Sequence, residues 1–266
     1  MCLVIGFSHI GNSRENHEDN YLIGKRYMSS NQVQSMSQRH LVTEKTTISE
    51  GFCVAVSDGM GGHESGEVAS LLTVQYLAKY ADELIASVKL GRVNIAECIT
   101  RLNYYVCDMA KQNPNNQNMG ATLCGVVSDN ETVYCFNVGD SRLYQYSKGV
   151  LMQITVDNTE GQRLFDLGLL NEEEVQAFPK RKVIYKYIGK PIELIPDIYQ
   201  IKGIEKGTLL LLCSDGLSDV LALEEIQEIL SKKYIETEDK GKLLVEMAVE
   251  RNPGTGDNIT LVMIEY

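Results

Sequence analysis

The sequence has few histidines, and none of them belongs to a recognised catalytic or zinc-binding motif. The four are His9, His17, His40 and His63, with no HExxH or HxH spacing among them. A Gly-x-Ser-x-Gly elbow, a Walker A loop and a Gly-x-Gly-x-x-Gly fingerprint after a strand are also missing. These absences argue against a zinc protease, a serine hydrolase, a P-loop nucleotide hydrolase and a dinucleotide-binding enzyme.

The sequence also lacks an excess of positive charge and any long apolar run. Its formal net charge is −11, which argues against nucleic-acid partners, because nucleic acids are bound by basic surfaces. The same charge argues against an anionic membrane surface. The longest aliphatic run, Leu209 to Cys213, is far too short to span a bilayer, and no secretory signal is evident. We therefore expect a cytoplasmic protein with no nucleic-acid or membrane partner.

Cysteine pairs with metal-binding spacing are absent as well. The sequence has seven cysteines and no CxxC pair, and an odd count does not suit a complete disulfide framework. Most of these cysteines lie inside strongly apolar segments. We therefore predict reduced cysteines in the core of a protein from a reducing compartment.

The order of predicted elements favours an α+β fold. Strands come first, two helical segments follow, and a strand-rich block, two further helices and a final strand complete the chain. This order lacks the regular alternation of a doubly wound sheet. We predict a single domain over residues 1–266, built as a β-sandwich of two antiparallel sheets flanked by α-helices.

Several local predictions accompany this fold. The polar segment 28–50 is predicted to be an excursion or a long hairpin loop. The first helix is predicted with Ser65 as its N-cap, and the second begins at a capping box of Asn94 and Glu97. After the second helix, short apolar segments predict a meander of antiparallel strands. The predicted core face of the first helix consists of Ala69, Leu72, Tyr76 and Tyr80.

Acidic residues flank the apolar strands at several points. Ser-Asp-Gly ends a hydrophobic strand twice, at 57–59 and at 214–216. Taken singly, each acid is a turn signal, but a sandwich can bring several strand ends to one edge. Clustered carboxylates repel one another unless cations offset their charge, and all-oxygen ligands suit Mg²⁺ or Mn²⁺. Two such ions can activate water and hold a phosphoryl oxygen.

Six short motifs occur along the chain in a specific order. They read RENHEDN, SDGMGGH, GAT, VGDSR, LCSDGL and GDNIT. This order resembles the PPM-type, or type 2C, metal-dependent serine/threonine protein phosphatases, particularly the compact bacterial ones. The resemblance runs from about Gly6 to the C-terminus. It implies the sandwich fold and the hydrolysis of phosphoserine and phosphothreonine in proteins that a serine/threonine kinase phosphorylates.

The resemblance also implies which residues bind metal. Asp58 would bridge two Mn²⁺ or Mg²⁺ ions, and the carbonyl of Gly59 would bind one of them. Asp140 would help to hold a third, weaker ion. The remaining acids of the binuclear site, some of them acting through bound water, would be Asp215, Asp257, Glu18 and Asp19.

Two further residues take roles from the same resemblance. Arg14 would bind the substrate phosphate, a bidentate task that suits a guanidinium group. Asn258 would support the site beside Asp257. A water activated by the ions would attack phosphorus in line, without a covalent enzyme intermediate.

The chain departs from the family pattern at several positions. His17 stands where asparagine is usual, and Asp157 to Thr159 reads DNT where DHS is common. Met60 stands where some eukaryotic members carry a histidine proposed as general acid, so water could donate that proton here. His63 would at most contact a metal ligand rather than the metal itself. Residues 160–187 match the variable flap beside the active site, and their basic run PKRKVIYK either guides substrates or, more commonly, is a solvated surface.

Two alternatives differ from a phosphatase. A non-catalytic relative that binds a phosphoprotein would typically lack one or more metal acids, whereas Asp58, Asp215 and Asp257 are all present. A plain acidic globular protein with many Asp-Gly turns explains each motif singly but not their joint order.

Overall fold

The fold is a sandwich of two antiparallel sheets, seen in a computed structural model that describes residues 1–36, 41–61, 65–251 and 256–266. The first sheet has the order β10-β9-β12-β13-β1-β4 and the second β11-β8-β7-β5-β2-β3, with β6 paired to β5. The strands are β1 (Cys2–His9), β2 (Asp19–Ile23), β3 (Arg26–Tyr27), β4 (Val42–Ile48), β5 (Phe52–Met60), β6 (Gly120–Ala121), β7 (Leu123–Ser128), β8 (Val133–Val138), β9 (Arg142–Ser147), β10 (Val150–Gln153), β11 (Asp197–Ile201), β12 (Leu209–Cys213) and β13 (Ile259–Glu265).

Helices cover the outer face of each sheet. The helices of the described residues are α1 (Ser30–Ser35), α2 (Ser65–Lys79), α3 (Ala81–Ser87), α4 (Arg92–Gln112), α5 (Glu160–Asp166), α6 (Glu172–Ala177), α7 (Asp215–Ser218), α8 (Leu223–Ser231) and α9 (Thr237–Arg251). Within the described ranges, no helix combines the length and the apolar character that a membrane span requires.

Strand periodicity explains why the sandwich has three apolar layers. In β5, Val54 and Val56 point between the sheets, whereas Cys53 and Ala55 point towards α2, α3 and α4. Successive side chains of a strand face opposite sides, so a strand buried on both faces reads as a continuous apolar run. The outer face of the first sheet packs in the same way against α8 and α9. The predicted α+β sandwich is confirmed.

The prediction for residues 28–50 is wrong. Strand β4 pairs with β1 along its whole length, from Cys2 opposite Ile48 to Ser8 opposite Val42. Its half-buried residues alternate with exposed charged and polar ones. This pattern is typical of an edge strand with one solvent-exposed face. The short α1 precedes it, and residues 37–40 lie outside the described ranges.

Both predicted helix starts are also wrong. Ser65 is the first residue of α2 rather than its cap, and its Oγ donates a hydrogen bond to the Asn115 carbonyl at 2.9 Å. Helix α4 begins at Arg92 after Gly91, whose φ of +90° favours glycine. The Asn94–Glu97 pair therefore lies inside the helix, where no capping box can form.

The face predicted for the first helix is rotated from the one it buries. Residues Ala69, Thr73 and Leu77 are buried, whereas Leu72 and Tyr76 are only half-buried. Tyr80 lies beyond the end of α2. The true face includes a threonine whose hydroxyl bonds to the helix backbone, so a count of apolar residues alone did not find it.

The predicted meander is only partly correct. Strands β7 and β8 pair with each other, and so do β9 and β10. Strands β8 and β9, however, lie in different sheets, and the chain crosses between them at Gly139, whose φ is +108°. The crossing places Asp140 at an end of the sandwich. The sequence analysis also did not include β11.

Candidate metal centre

Two neighbouring strands of the second sheet bring the first pair of acids together. Asp19 at the start of β2 lies directly opposite Asp58 of β5. Asp19 is buried and Asp58 is half-buried. The sequence predicted Asp58 beyond the end of a strand, but β5 continues through it to Met60. The rigid ladder between the two strands therefore fixes the separation of the two backbones.

The first sheet contributes two acids at the same end of the sandwich. Asp215 opens α7 one residue beyond the end of β12, and Asp257 precedes β13. Because β12 and β13 are antiparallel neighbours, the end of one lies beside the start of the other. Asp140, at the crossing between the sheets, adds a further carboxylate, and its charge, like that of Asp215 and Asp257, raises the pKa of Asp58.

Burial raises the pKa of the carboxyl groups of Asp19, Asp58, Asp140 and Asp215, and repulsion from neighbouring acids adds to that effect. The pKa of Asp19 rises to about 8, that of Asp140 to about 7 and that of Asp215 to about 6. Burial and the charge of Asp19 raise the pKa of Asp58 well above its usual value. Bringing these groups together in charged form is therefore unfavourable without a cation.

The oxygens of the cluster suit a hard divalent ion. Among the described residues, Oδ1 of Asp19 and Oδ1 of Asp215 are buried without a hydrogen-bond partner. In the same part of the chain, no three acidic, histidine or cysteine side chains already have the spacing of a metal site, so the carboxylates converge without enclosing a single point. The donor set is all oxygen, which fits Mg²⁺ or Mn²⁺ better than zinc.

Glycine at position 59 is required by packing. A Cβ atom there would lie 2.0 Å from the carbonyl oxygen of Gly66 in α2 and 2.7 Å from that of Glu18. The Gly59 N–H donates to the Glu18 carbonyl at 3.1 Å. A Cβ on Gly66 would in turn lie 2.6 Å from Oε1 of Glu18. The two glycines thus let the first turn of α2 rest on β5 and hold Glu18 beside the cluster.

Arg14 lies at the rim of the cluster. Its Nη2 donates to Oδ2 of Asp257 at 2.8 Å, and both side chains are partly exposed. Burial alone would lower the pKa of Arg14, but the charges of Asp257, Glu18 and Asp58 outweigh it and raise the pKa. The guanidinium group therefore faces the acids from the solvent side, where an incoming anion would meet it.

Asn258 fastens the segment that carries Arg14. Its Oδ1 accepts from the Glu18 N–H at 2.7 Å, and its Nδ2 donates to the carbonyls of Ile10 and Asn16 at 2.8 and 3.2 Å. The side chain is buried. Asn258 thus ties the loop around Arg14 to the start of β13.

Comparison with known proteins places the chain in a family. The family profile described as protein phosphatase 2C matches residues 42–247. The chain belongs to the protein phosphatase 2C family. The resemblance seen in the sequence is thereby confirmed.

Two curated members of the protein phosphatase 2C family are similar over most of this chain. The serine/threonine protein phosphatase PstP of Mycobacterium tuberculosis is 33% identical over 213 residues, which are 80% of this chain and 40% of PstP. The serine/threonine phosphatase stp of Listeria monocytogenes is 30% identical over 214 residues, which are 80% of this chain and 83% of stp. The match therefore spans less than half of PstP but most of stp.

Solved phosphatase 2C structures share the fold. The S. agalactiae serine/threonine phosphatase has a TM-score of 0.79 and 25% identity, with 99% of both chains covered. The catalytic domain of serine threonine protein phosphatase PstP, solved in complex with two manganese ions, has a TM-score of 0.70 and 27% identity, with 99% of this chain and 98% of that chain covered.

Asn158, to which the sequence analysis gave no role, connects the Asp140 loop to the rest of this phosphatase 2C chain. Its Oδ1 accepts from the Gly139 N–H at 2.9 Å, and its Nδ2 donates to Oδ2 of Asp197 at 2.8 Å. The Tyr185 N–H donates to its backbone carbonyl. The only signal in the sequence was the departure from the family's DHS triplet, which did not reveal the partners.

Arg142 is a second residue without a predicted role. Its guanidinium group makes a two-pronged contact with Asp157, with Nε to Oδ1 at 2.9 Å and Nη2 to Oδ2 at 2.6 Å. The pair borders a cavity of about 370 Å³ that also contacts Asp140, Asp215 and Lys182 of the flap. The acid cluster of this phosphatase 2C chain therefore opens into a pocket between the core and the flap.

The remaining sequence candidates lie in different places. Met60 ends β5 opposite Gly120 and is half-buried. His63 lies outside the described residues. His17 is buried, and its Nε2 lies 2.9 Å from Oγ of Ser8.

Proposed function

We propose that the protein is a metal-dependent phosphatase that hydrolyses phosphoserine and phosphothreonine in proteins. The observation that carries the proposal is the convergence of carboxylates from both sheets, with oxygens on Asp19 and Asp215 that have no partner in the described part of the chain. The names of the family relatives, serine/threonine protein phosphatase, support the same activity. We further propose that residues 1–266 form one catalytic domain with a flap at 160–187.

The proposed cofactors are two Mn²⁺ or Mg²⁺ ions, with a third, weaker ion beside Asp140. Asp58 and the Gly59 carbonyl would be among the groups that hold the ions. When bound, the ions would supply Lewis acidity that lowers the pKa of a water molecule and offsets phosphoryl charge. The solved PstP catalytic domain with two manganese ions supports this count. The other proposed ligands are Asp215, Asp257, Glu18 and Asp19.

The protein's own groups would orient the phosphate and handle the protons. Arg14 would leave part of its contact with Asp257 and bind two phosphoryl oxygens, as the planar guanidinium group allows. Asn258 would keep the Arg14 loop in place through its three hydrogen bonds. Met60 carries no acidic proton, so we propose that water protonates the leaving serine or threonine oxygen.

The proposed substrates are proteins phosphorylated by a serine/threonine kinase, in a cytoplasmic signalling role without nucleic-acid or membrane partners. The cavity beside Asp140 and Asp215 offers space for the residues next to the phosphorylated one. The two curated relatives are both named as phosphatases, which favours this activity over the alternative of a non-catalytic regulatory domain that only binds phosphoproteins.

The test is hydrolysis of a phosphothreonine peptide with Mn²⁺. We expect Asp58→Asn to lower kcat/KM by more than about 100-fold, because even residues behind a metal ligand are worth about 10- to 100-fold. The matched control is Asp82→Asn, at an exposed aspartate that pairs with Lys25, and it should leave the rate unchanged. Equal rates for Asp58→Asn and wild type, or full activity in EDTA, would refute the proposal.

A further inference from the structure

A hydrogen bond between Ser214 and Asp19 joins the two sheets at the end of the sandwich that carries the acids. Ser214 lies between β12 of the first sheet and α7, whereas Asp19 begins β2 of the second sheet. Ser214 Oγ donates to Oδ2 of Asp19 at 2.8 Å, and both side chains are buried. Because water does not compete for a buried hydrogen bond, this contact restricts the rotation of the Asp19 carboxyl group.

The Ser214 side chain is itself held by the backbone of β13. The Thr260 N–H donates to Ser214 Oγ at 3.0 Å, and the Ser214 N–H donates to the Thr260 carbonyl at 2.9 Å. The hydroxyl oxygen therefore accepts from the backbone, and its one proton is left for an acceptor. Oδ2 of Asp19 is the nearer acceptor, because the Thr260 carbonyl lies 3.4 Å from Ser214 Oγ.

The two carboxyl oxygens of Asp19 have different surroundings. Oδ2 accepts from Ser214, whereas Oδ1 is buried and has no hydrogen-bond partner among the described residues. A buried acceptor without a partner is costly, so Oδ1 is the oxygen that a cation, or a water molecule bound to one, would stabilise. The contact with Ser214 does not require an ionised Asp19, because a hydroxyl oxygen can also accept from a protonated carboxyl group.

We propose that Ser214 is a positioning residue that orients the Asp19 carboxyl group for metal binding. By holding Oδ2, the Ser214 hydroxyl sets the rotation of this carboxyl group and leaves Oδ1 for a divalent cation or its bound water. The first sheet thereby orients an acid that the second sheet carries. The inference rests on the proposed function, because it takes Asp19 as part of the metal centre.

The two Ser-Asp-Gly segments use their serines differently. Ser57, like Ser214, is buried and directly precedes an acid of the cluster. Its Oγ also donates a hydrogen bond of 2.8 Å, but the acceptor is the backbone carbonyl of Thr122. Loss of the Ser57 hydroxyl therefore removes a buried hydrogen bond without releasing a carboxyl group, which makes Ser57 a matched control for Ser214.

The experiment measures Mn²⁺ binding to the full chain by calorimetry. Groups that orient metal ligands typically contribute about 10- to 100-fold in affinity, so Ser214→Ala should weaken binding by that factor. Ser57→Ala should bind Mn²⁺ as wild type does. In urea denaturation of the metal-free protein, the two variants should lower the midpoint by similar amounts, because each loses one buried hydrogen bond. A purely structural role for Ser214 would change the midpoint but not the Mn²⁺ affinity.

Two further variants test whether Ser214 acts through Asp19. In an Asp19→Asn background, Ser214→Ala should weaken Mn²⁺ binding no further, because the two residues form one hydrogen-bonded unit. Ser214→Cys replaces the hydroxyl by a thiol, which is only a weak donor. Its Mn²⁺ affinity should therefore lie between those of wild type and Ser214→Ala.

Three results would overturn the inference and leave the proposed function intact. They are equal Mn²⁺ affinity for Ser214→Ala and wild type, equal losses for Ser214→Ala and Ser57→Ala, and an undiminished effect of Ser214→Ala in the Asp19→Asn background. If Ser214→Ala does not fold, Ser214→Cys decides, and wild-type affinity in that variant would overturn the inference. Failure of the wild type to bind Mn²⁺ would refute the proposed function, and the inference with it.

Discussion

Replacing Gly59 by alanine tests the packing that holds α2 against β5. The new Cβ would lie 2.0 Å from the carbonyl oxygen and 2.4 Å from the carbonyl carbon of Gly66. Carbon atoms in contact are about 3.5 Å apart, so the strand and the helix must separate by about 1 Å. Both contacts are with backbone atoms, and no side-chain rotation can relieve them.

The expected loss of unfolding free energy lies at the upper end of the range for a methyl group added to a packed core. Overpacking a core lowers the free energy of unfolding by about 1 to 3 kcal/mol, and we expect about 3 kcal/mol because no side chain can move away. Urea denaturation of the metal-free protein measures it, as a lower midpoint with an unchanged slope. The displacement of Glu18, whose carbonyl would lie 2.7 Å from the Cβ, should also weaken Mn²⁺ binding.

The control for this prediction is Gly6→Ala. Gly6 lies in β1, and its Cβ would come within 2.9 Å only of Cδ1 of Ile23, the end of a flexible side chain. A rotamer adjustment of about 1 kcal/mol relieves that contact. If the two alanine variants lose the same free energy of unfolding, close packing at Gly59 is not the reason for the glycine.

Three further predictions concern the acid cluster, the hydrogen bonds of Asn158 and the role of Arg14. Above about pH 6.5 the histidines of the unfolded chain are mostly neutral, so they contribute little to the pH dependence of stability. In that range folded Asp19 and Asp140 still hold protons, because their pKa values are raised to about 8 and about 7. Unfolding releases these protons, so the metal-free protein should lose about 2 kcal/mol of its free energy of unfolding between about pH 6.5 and 8; urea denaturation checks this, and a slope that persists in saturating Mn²⁺ would contradict it. Asn158→Leu should lower the free energy of unfolding by about 2 kcal/mol in the same assay, because it removes the buried acceptor of the Gly139 N–H. Unchanged stability would contradict a structural role for this hydrogen bond. Arg14→Lys should raise KM for a phosphopeptide by about tenfold, the value of one charge-assisted hydrogen bond, and an unaltered KM in steady-state kinetics would argue against phosphate binding.

The parts of the fold that the sequence predicted are those in which burial determines residue type. Strands β5, β12 and β13 are buried on nearly every residue, and continuous apolar runs identify such strands. Edge strand β4 only half-buries its alternate residues, and the residues between them are the exposed Thr43, Lys45 and Thr47. This polar composition therefore predicts a loop, although the segment is a strand.

The site could be predicted only as far as strand connectivity determines it. The meeting of Asp215 and Asp257 follows from the antiparallel pairing of β12 with β13, and that of Asp19 and Asp58 follows from β2 and β5. The contacts of Asn158 depend on where the chain crosses between the sheets, which no local pattern records. Long-range packing decided those contacts.

The position of β13 also limits when the first sheet can form during synthesis. Residues 259–265 lie between β1 and β12, so two strands made earlier have no partner on one side until this segment has left the ribosome. Unpaired strand edges can recruit other chains. We expect nascent chains that stop before β13 to aggregate readily, and their acids from the two sheets to remain apart.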